Sequence, residues 1–234
     1  MIRPATTTCH GRPQHRCTSE LGWSPCTAVQ APQLTLRYHH TAPAPTKATF
    51  QRGTGGYVGN QATYFDGSGG YNSTYRLRVG ADNVAKTLLK FDISAIPSGK
   101  KVDEATLRLY YKARSNGNSI TVGAHRVLSD WNDSQVNVVQ RQTGVNWQAV
   151  GMGSGSDYFA AADGAAAVTD SADSWVELDV SDMVQAWVDN ASANDGMVVL
   201  TEAASGYVVY DFCSEQGWEP CTAGQAPILT VWYH

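Results

Sequence analysis

Long apolar runs, clustered basic charge and a leader-like start are all missing from this chain of 234 residues. No window approaches the roughly 18 to 20 apolar residues of a membrane helix, so we expect no membrane span. With a net charge of -4 and scattered Lys and Arg, the chain offers no basic field for nucleic acid. The opening MIRPATTTCHGRPQHR has no apolar stretch, so it does not resemble a secretory signal.

Catalytic signatures are also missing. No serine lies in the Gly-x-Ser-x-Gly pattern of a nucleophile elbow. The chain also lacks a Gly-rich phosphate-binding motif that ends in Lys-Ser or Lys-Thr. His125 lies on an expected strand, where a structural role is the more common one. Paired carboxylates for glycoside chemistry are not recognisable from sequence, although acidic residues occur at Glu104, Asp133, Asp157, Asp163 and Glu202. The sequence therefore predicts a protein that is not an enzyme.

Short runs rich in Val, Ile, Thr, Tyr and Phe, separated by Gly, Asn, Asp and Ser, dominate the chain. In ATLRLYY the apolar residues Ala105, Leu107, Leu109 and Tyr111 alternate with the others, which is the period of a half-buried strand. At least nine such runs predict an all-β fold, an antiparallel β-sandwich or jelly roll.

One short helix is expected, from Ser181 to about Asn190. Ser181 or Asp182 would cap it, and its apolar stripe would place Trp187 in the core. The sequence Asn-Asp-Gly at 194–196 then turns the chain into a strand.

The passage GWSPCTAVQAPQLTLRYH at 22–39 returns as GWEPCTAGQAPILTVWYH at 217–234, with 13 of 18 positions identical. The offset of 195 residues exceeds any solenoid repeat and matches the spacing of successive domains. Residues 15–39 therefore resemble the closing strands of a preceding domain.

We divide the chain into an N-terminal segment at 1–40, a Pro- and Ala-rich linker at 41–50 and a β-sandwich domain at 51–234. The segment is either a donor strand for the sheet edge of another copy, or the remnant of an upstream repeat. Trp232 is either covered by a loop of its own domain or part of an exposed patch. The predicted interface residues are Leu34, Leu36, Tyr38 and Trp232.

Two cysteines occur at equivalent places in each copy of the repeated passage. We expect one local disulfide per copy, Cys17 with Cys26 and Cys213 with Cys221, which implies an oxidising compartment. Cys9 is left unpaired. A zinc site is the alternative for the first copy, with ligands among Cys9, His10, His15, Cys17 and Cys26.

The run KTLLKFDISAIPSGKKVDEATLRLYY, at 86–111, resembles the hallmark of the DNRLRE family of extracellular domains. Further pieces agree in order: GYVGNQATYF, LSDWNDSQVNVVQRQTGVNWQAVG, VELDVSDMVQAWV and PILTVWY. The resemblance covers about 51–233. It implies a β-sandwich found in tandem in secreted or surface proteins, similar to a carbohydrate-binding module family, with no catalytic residues.

Two functions remain open, and both place the protein outside the cell or on its surface. The domain binds a polysaccharide or cell-surface glycan, or it is a structural subunit that pairs with neighbouring copies in a filament. For a glycan site, the predicted contact residues are loop aromatics; Trp131 and Trp147 are expected in the core. No cofactor is expected beyond a structural calcium ion near Asp66 or Asp157. The contact residues are Tyr57, Tyr71, Tyr158 and Trp218.

Overall fold

A computed structural model describes residues 8–10, 16–19, 22–25, 44–71, 76–169, 171–216 and 221–234. The chain divides into two compact units, Met1–Ala42 and Pro43–His234. In the first unit, three strands form an antiparallel sheet in chain order. These strands are β1 (Thr8–His10), β2 (Arg16–Ser19) and β3 (Gly22–Pro25).

The second unit is a sandwich of two antiparallel sheets, which confirms the predicted fold class. Sheet 1 runs in the order β4-β17-β9-β16-β7, and β14 pairs with the remaining edge of β9. Its strands are β4 (Thr46–Phe50), β7 (Arg76–Gly80), β9 (Val102–Arg114), β14 (Ser174–Asp179), β16 (Val209–Cys213) and β17 (Ile228–Tyr233).

Sheet 2 runs in the order β13-β10-β15-β8-β5-β6. A separate two-stranded ribbon, β11 with β12, lies in the connection after β10. The strands are β5 (Asn60–Asp66), β6 (Gly69–Tyr71), β8 (Ala85–Phe91), β10 (Ile120–Arg126), β11 (Gln140–Gln142), β12 (Val145–Asn146), β13 (Gly164–Ala167) and β15 (Met197–Ala204).

Strand β4 corrects the predicted domain boundaries. Residues 46–50, assigned to the linker, pair with β17 from Leu229 to Tyr233 and therefore belong to sheet 1. Phe50 is 3% exposed and reaches the core. The Pro and Ala composition of 41–50 suggested a linker, but the composition changes to Thr, Lys and Phe where the strand begins.

The main core lies between the two sheets, and the alternation along β9 builds it. Ala105, Leu107 and Leu109 are fully buried and Tyr111 is 1% exposed, as the sequence predicted. Facing side chains come from sheet 2, including Leu89, Val122 and Val199. Since each fully buried aliphatic side chain contributes about 1.5–3 kcal/mol, this layer is the main stabilising element.

The helix, α1, spans Ser181–Asp189, as predicted, and Trp187 is 1% exposed in the core. The predicted cap is wrong, because Val180 occupies the N-cap position and no side chain caps the helix there. The hydroxyl of Ser181 instead accepts the N–H of Ala105 at 2.9 Å. This bond fixes the start of the helix to the edge of β9.

Gly196 ends the turn that leads from the helix into β15. Its φ is +80°, and a Cβ there would lie 2.4 Å from the carbonyl oxygen of Leu89. Only glycine fits such an approach with a positive φ. The predicted turn at 194–196 is therefore confirmed, with Met197 as the first residue of β15.

No helix in the described part of the chain is long and apolar enough to cross a membrane.

Candidate functional site

The outward side of sheet 1, which we call the open face, carries a row of half-exposed side chains. Along β9, the residues between the core positions point outward, and among them Arg108, Tyr110 and Lys112 are half-buried. The neighbouring strands add Trp175 from β14 and Trp232 from β17. The open face therefore combines aromatic rings with charged groups on rigid strands.

Trp175 is the centre of an aromatic cluster on this face. Strand pairing places it opposite Tyr110, and their rings meet edge to face with centroids 5.1 Å apart. The guanidinium of Arg108 lies 4.6 Å from the centre of the Trp175 ring, a cation–π distance. Arg108 also forms an ion pair with Glu177 at 2.9 Å. These contacts hold the indole of Trp175 in one orientation.

Trp232 forms a second aromatic position on the same face. It is 38% exposed, with the ammonium of Lys47 5.4 Å from the ring centre. In register it lies opposite Glu104 on β9, six residues from Tyr110. At about 3.3 Å per residue, the two aromatic positions are roughly 20 Å apart along the strand.

Fixed charges occupy the end of the open face formed by β7 and β16. Asp211 accepts from the Nε of Arg78 at 2.8 Å and from the Nη1 of Arg76 at 3.3 Å. One carboxylate thus orients two guanidinium groups. Lys112 pairs with Asp173 at the β14 side. These groups are held in place before any ligand arrives, which lowers the entropy cost of binding.

The opposite side of the sandwich differs, because residues 127–163, which we call the covering loop, pack on the outer face of sheet 2. Trp131, Trp147 and Met152 of this loop are 2–4% exposed. They contact outward residues of the sheet such as Leu88 and Val198, and together they form a second core. The prediction that Trp131 and Trp147 are core residues is confirmed.

Buried polar side chains fasten the covering loop to sheet 2. The ammonium of Lys86 donates to the carbonyl oxygens of Gly151 at 2.5 Å and Met152 at 3.0 Å, and burial lowers the pKa of Lys86. His125, 2% exposed, contacts the carbonyl oxygen of Phe159 at 2.8 Å and Glu202 at 2.6 Å. These bonds make His125 part of the framework, as expected from its place on a strand.

Two of the predicted contact residues are placed against the core. Tyr158 is 7% exposed and belongs to the second core, with its ring against His125. The prediction of Tyr158 as a contact residue is therefore wrong, because the Gly- and Ser-rich stretch before it packs on sheet 2. Tyr57 is half-buried and packs edge to face on Phe50, with a buried hydroxyl.

The other predicted positions lie at the surface or outside the described residues. Tyr71 is half-buried at the end of β6 and stacks on Tyr64 with centroids 4.6 Å apart. Of the two alternatives for Trp232, the structure has the exposed one. Trp218, Leu34, Leu36, Tyr38, His15 and Cys26 lie outside the described residues.

The predicted disulfide between Cys213 and Cys221 is present and links the end of β16 to the segment before β17. In the N-terminal unit, Cys17 on β2 lies opposite Cys9 on β1 in backbone register. The predicted pairing of Cys17 with Cys26 stays a prediction.

Asp157, one of the two residues proposed for calcium, is surrounded by hydrogen-bond donors. It is 1% exposed and accepts the backbone N–H groups of Gln148, Ala149 and Gly153 at 2.7–3.0 Å. Donors pointing at a carboxylate oppose a cation at the same place. Asp66 accepts the N–H of Ser68 at the β5–β6 turn. Within the described ranges, no group of three or more His, Cys, Asp or Glu side chains is arranged to hold a metal.

Trp175, Tyr110 and Arg108 were not among the predicted contact residues. The outward orientation of Trp175 could have been predicted from the alternation along its strand, because Val176 and Leu178 are the buried residues of β14. The pairing of β14 with β9, which brings the three side chains together, was not readable from either strand alone.

Residues 60–221 match the profile of carbohydrate-binding module family 96. No curated protein matches. The matched range contains the strands that carry Arg76, Arg108, Trp175 and Asp211, and it ends before β17 and Trp232.

Proposed function

The chain belongs to carbohydrate-binding module family 96, and from this premise we propose that it binds a polysaccharide or cell-surface glycan through the open face of sheet 1. The module has no catalytic role in this proposal. The ligand is an extended sugar chain that lies along β9 and contacts the aromatic cluster at Trp175 and the second position at Trp232.

The arrangement around Trp175 is the observation that carries the proposal. The apolar faces of sugar rings pack on aromatic rings, while fixed charged groups accept from and donate to the hydroxyls. Trp175 is held by Tyr110 and Arg108, yet it stays half-exposed on a rigid strand. A ring that is fixed before binding loses little conformational freedom when a ligand stacks on it.

An extracellular or surface location accompanies this proposal. Cys213 and Cys221 form a disulfide, and disulfides persist in oxidising compartments. A glycan-binding module needs access to the polysaccharide, which an external location supplies.

The test is binding of Trp175→Ala to a panel of soluble polysaccharides, measured by affinity electrophoresis and by calorimetry. We expect at least a tenfold loss of affinity for every polysaccharide that the unmodified protein binds. Trp232→Ala should lower the affinity for long chains more than the affinity for short oligosaccharides, because only a long chain reaches both aromatic positions.

Tyr207→Ala is the matched control. Tyr207 is an exposed aromatic residue, 60% exposed, on the connection between β15 and β16 rather than on the open face. Its removal should leave affinity unchanged. Equal losses for Trp175→Ala and Tyr207→Ala, or no loss for Trp175→Ala, would contradict the assignment of the site.

The second candidate function is a filament subunit, and the edge of sheet 1 favours it. Strand β4 pairs with β17 along one edge, and no described strand pairs with the other. Thr46, Lys47 and Thr49 are exposed there. An unpaired edge accepts an added strand, and the predicted donor is the segment with Leu34, Leu36 and Tyr38 of a second copy.

The filament candidate is tested by light scattering after size-exclusion chromatography, with electron microscopy, on the full chain and on a chain starting at Ala42. Strand donation predicts higher-order species for the full chain only. Monomers in both samples would exclude it and leave the N-terminal segment as the remnant of an upstream repeat. Glycan binding by the open face is measured separately on both chains.

A further inference from the structure

Strand β17 completes sheet 1 from a central position. It pairs with β4 on one side and with β9 on the other, and its Leu229 and Val231 are fully buried in the main core. We call the space between β4 and β9 the closing slot. Without an occupant, backbone groups of both flanking strands would lack partners and the core would be open to water, so the slot requires a strand.

Residues 33–38 have a sequence that fits the closing slot. They stand 195 positions before residues 228–233 of β17, inside the passage in which 13 of 18 positions are repeated. Leu34 and Leu36 would take the two inward positions, where large apolar side chains fill the core. Because the buried side of a strand sets its register, the segment can enter the slot only in the register of β17.

The turn that leads into β17 is reproduced as well. The backbone N–H of Thr222 donates to the side-chain oxygen of Gln225 at 2.8 Å. The N-terminal passage has Thr27 and Gln30 at the equivalent positions. It therefore carries the entry to the strand as well as the strand itself.

Two differences between the passages lie where the slot tolerates them. Arg37 stands at the position of Trp232, which is 38% exposed and opposite Glu104 in register. An arginine there would reach solvent and face a carboxylate. Val29 stands at the position of Gly224, where a Cβ would meet nothing nearer than 3.9 Å. Neither substitution keeps the N-terminal passage out of the slot.

Two other differences make residues 33–38 the weaker occupant. Gln33 stands at the position of the half-buried Ile228 and removes apolar contact. Leu36 adds a methylene group where Val231 is fully buried. The structure accordingly has β17 in the slot, and we expect the N-terminal segment to take it in a minority of molecules or when β17 is weakened.

The connection to β4 is long enough for residues 33–38 to reach the slot of their own molecule. Thr46 of β4 pairs with Tyr233, and β4 and β17 are antiparallel. In the same register Tyr38 would pair with Thr46, which makes residues 39–45 the loop of a β-hairpin. A loop of this length spans up to about 23 Å when extended, whereas paired strands lie about 5 Å apart. The hairpin can therefore close.

We propose that residues 33–38 are a second occupant of the closing slot, which displaces β17 of the same chain and forms a hairpin with β4. The acceptor differs from the free edge in the filament candidate, and the exchange does not depend on glycan binding. The exchange also changes the open face, because Arg37 then replaces Trp232 and the second aromatic position is lost. This consequence for the ligand rests on the proposed function.

The test places one charge in each passage of the full chain. Leu229→Asp prevents β17 from keeping the slot, because its carboxylate would be buried in the main core. Leu34→Asp is the matched substitution in the other segment. We expect Leu34→Asp to melt like the unmodified protein and Leu229→Asp to keep a cooperative transition. The double variant should lose the transition, because no occupant remains.

Calorimetric melting and ¹H–¹⁵N spectra of the three variants measure this difference. If Leu229→Asp and the double variant melt alike, residues 33–38 do not replace β17 and the proposal is overturned.

A disulfide trap identifies the occupant directly. Thr230 lies opposite Thr106 of β9, and Thr35 of the exchanged segment would take its place. In the Leu229→Asp chain, Thr35→Cys with Thr106→Cys should form a disulfide, detected by mass spectrometry of a non-reduced digest, in at least tenfold higher yield than without Leu229→Asp. In the control, Lys112→Cys replaces Thr106→Cys, because Lys112 lies on the same side of β9 but beyond the register of the slot.

The trapped product separates exchange within one chain from the other possibilities. A disulfide-linked monomer that forms with Thr106→Cys and not with Lys112→Cys supports the proposal. A disulfide-linked dimer, or equal yields with both partners, overturns it.

Polysaccharide affinity of Leu229→Asp is measured separately. A loss for long chains that matches the loss in Trp232→Ala supports the change of the open face. An unchanged affinity together with the trapped monomer leaves the exchange intact and contradicts the role of Trp232 in the proposed function.

Discussion

The outer faces of the two sheets follow the same alternation of side chains, but one face is accessible to solvent and the other is covered. On sheet 1, Trp175 and Trp232 stay accessible next to charged groups. On sheet 2, the outward residues Leu88, Val198 and Leu200 are buried under the covering loop. The sequence of a strand marks which residues point outward, but the path of a distant connection decides whether that side meets solvent.

The composition of the two outer faces differs in a way that fits their surroundings. The outward positions of sheet 2 are apolar where the covering loop packs, and the buried Lys86 bonds to loop carbonyls. The outward positions of sheet 1 are charged or aromatic, with the charges paired. A surface on which aromatic rings lie among paired charges keeps the protein soluble and still offers a place for a ligand.

The largest loss of stability is expected for a substitution in the covering loop. Trp131→Ala should lower the free energy of unfolding by about 3–5 kcal/mol, because it empties part of the second core and removes the bond from the indole N–H to Asp195. Urea unfolding measures it. Trp232→Ala, on the open face, should cost less than about 1 kcal/mol. Similar losses for the two variants would contradict the difference between the faces.

The next largest loss of stability is expected when a carboxylate of the covering loop is removed, in comparison with a carboxylate of the open face. Asp157→Ala leaves three backbone N–H groups of the covering loop without an acceptor, so we expect a loss of about 2–4 kcal/mol and faster proteolytic cleavage within 127–163. Glu177→Ala, an exposed ion-pair partner on the open face, should change stability by about 0.5 kcal/mol. Unchanged proteolysis in Asp157→Ala would show that the loop is held by other contacts.

Glu215 lies on the segment between β16 and β17, and burial raises its pKa to about 7 from 4.5. The folded state therefore keeps its proton where the unfolded state has lost it, so the free energy of unfolding should fall as pH rises from about 4.5 to about 7. Glu215→Gln should remove this part of the slope. At pH 8 it should be more stable than the unmodified protein by about 1–3 kcal/mol.

Urea unfolding across this pH range measures the slope for Glu215. The same substitution at exposed Glu104 is the control and should keep the slope of the unmodified protein. If Glu215→Gln retains the full slope, the titrating group lies elsewhere.

A small effect on stability, together with a large effect on binding, is expected at the centre of the open face. Trp175→Ala should cost about 1 kcal/mol, the scale of its contacts with Tyr110 and Arg108, while polysaccharide binding falls at least tenfold. Calorimetric melting and affinity electrophoresis on one preparation show the two effects together. A loss of several kcal/mol would mean that Trp175 is a framework residue.

The fold class, the helix and most strands were predictable because each depends on local patterns. The alternation in β9, the Val-Trp-Val stripe in α1 and the Asn-Asp-Gly turn before β15 are all legible within a few residues. The short strand β13, Gly-Ala-Ala-Ala, was not predicted, because it has little strand propensity and forms by pairing with β10.

The candidate site was less predictable than the fold. Aromatic residues in Gly- and Ser-rich stretches suggested contact residues, yet Tyr158 is buried because its stretch packs on sheet 2. Trp175 was overlooked because its partners Tyr110 and Arg108 lie more than sixty positions away in the chain. Loop composition describes local polarity, whereas exposure depends on packing with distant residues.

By itself, the sequence determined the antiparallel sandwich, the core residues of the longest strand, the helix and the disulfide between Cys213 and Cys221, since these follow from periodicity and short spacing. The tertiary structure alone decided which outer face is covered and which aromatic rings share the other. It also left the indole N–H of the buried Trp187 without a hydrogen-bond acceptor among the described residues. The physical reason is that exposure and unmet hydrogen bonds depend on contacts between residues far apart in the chain.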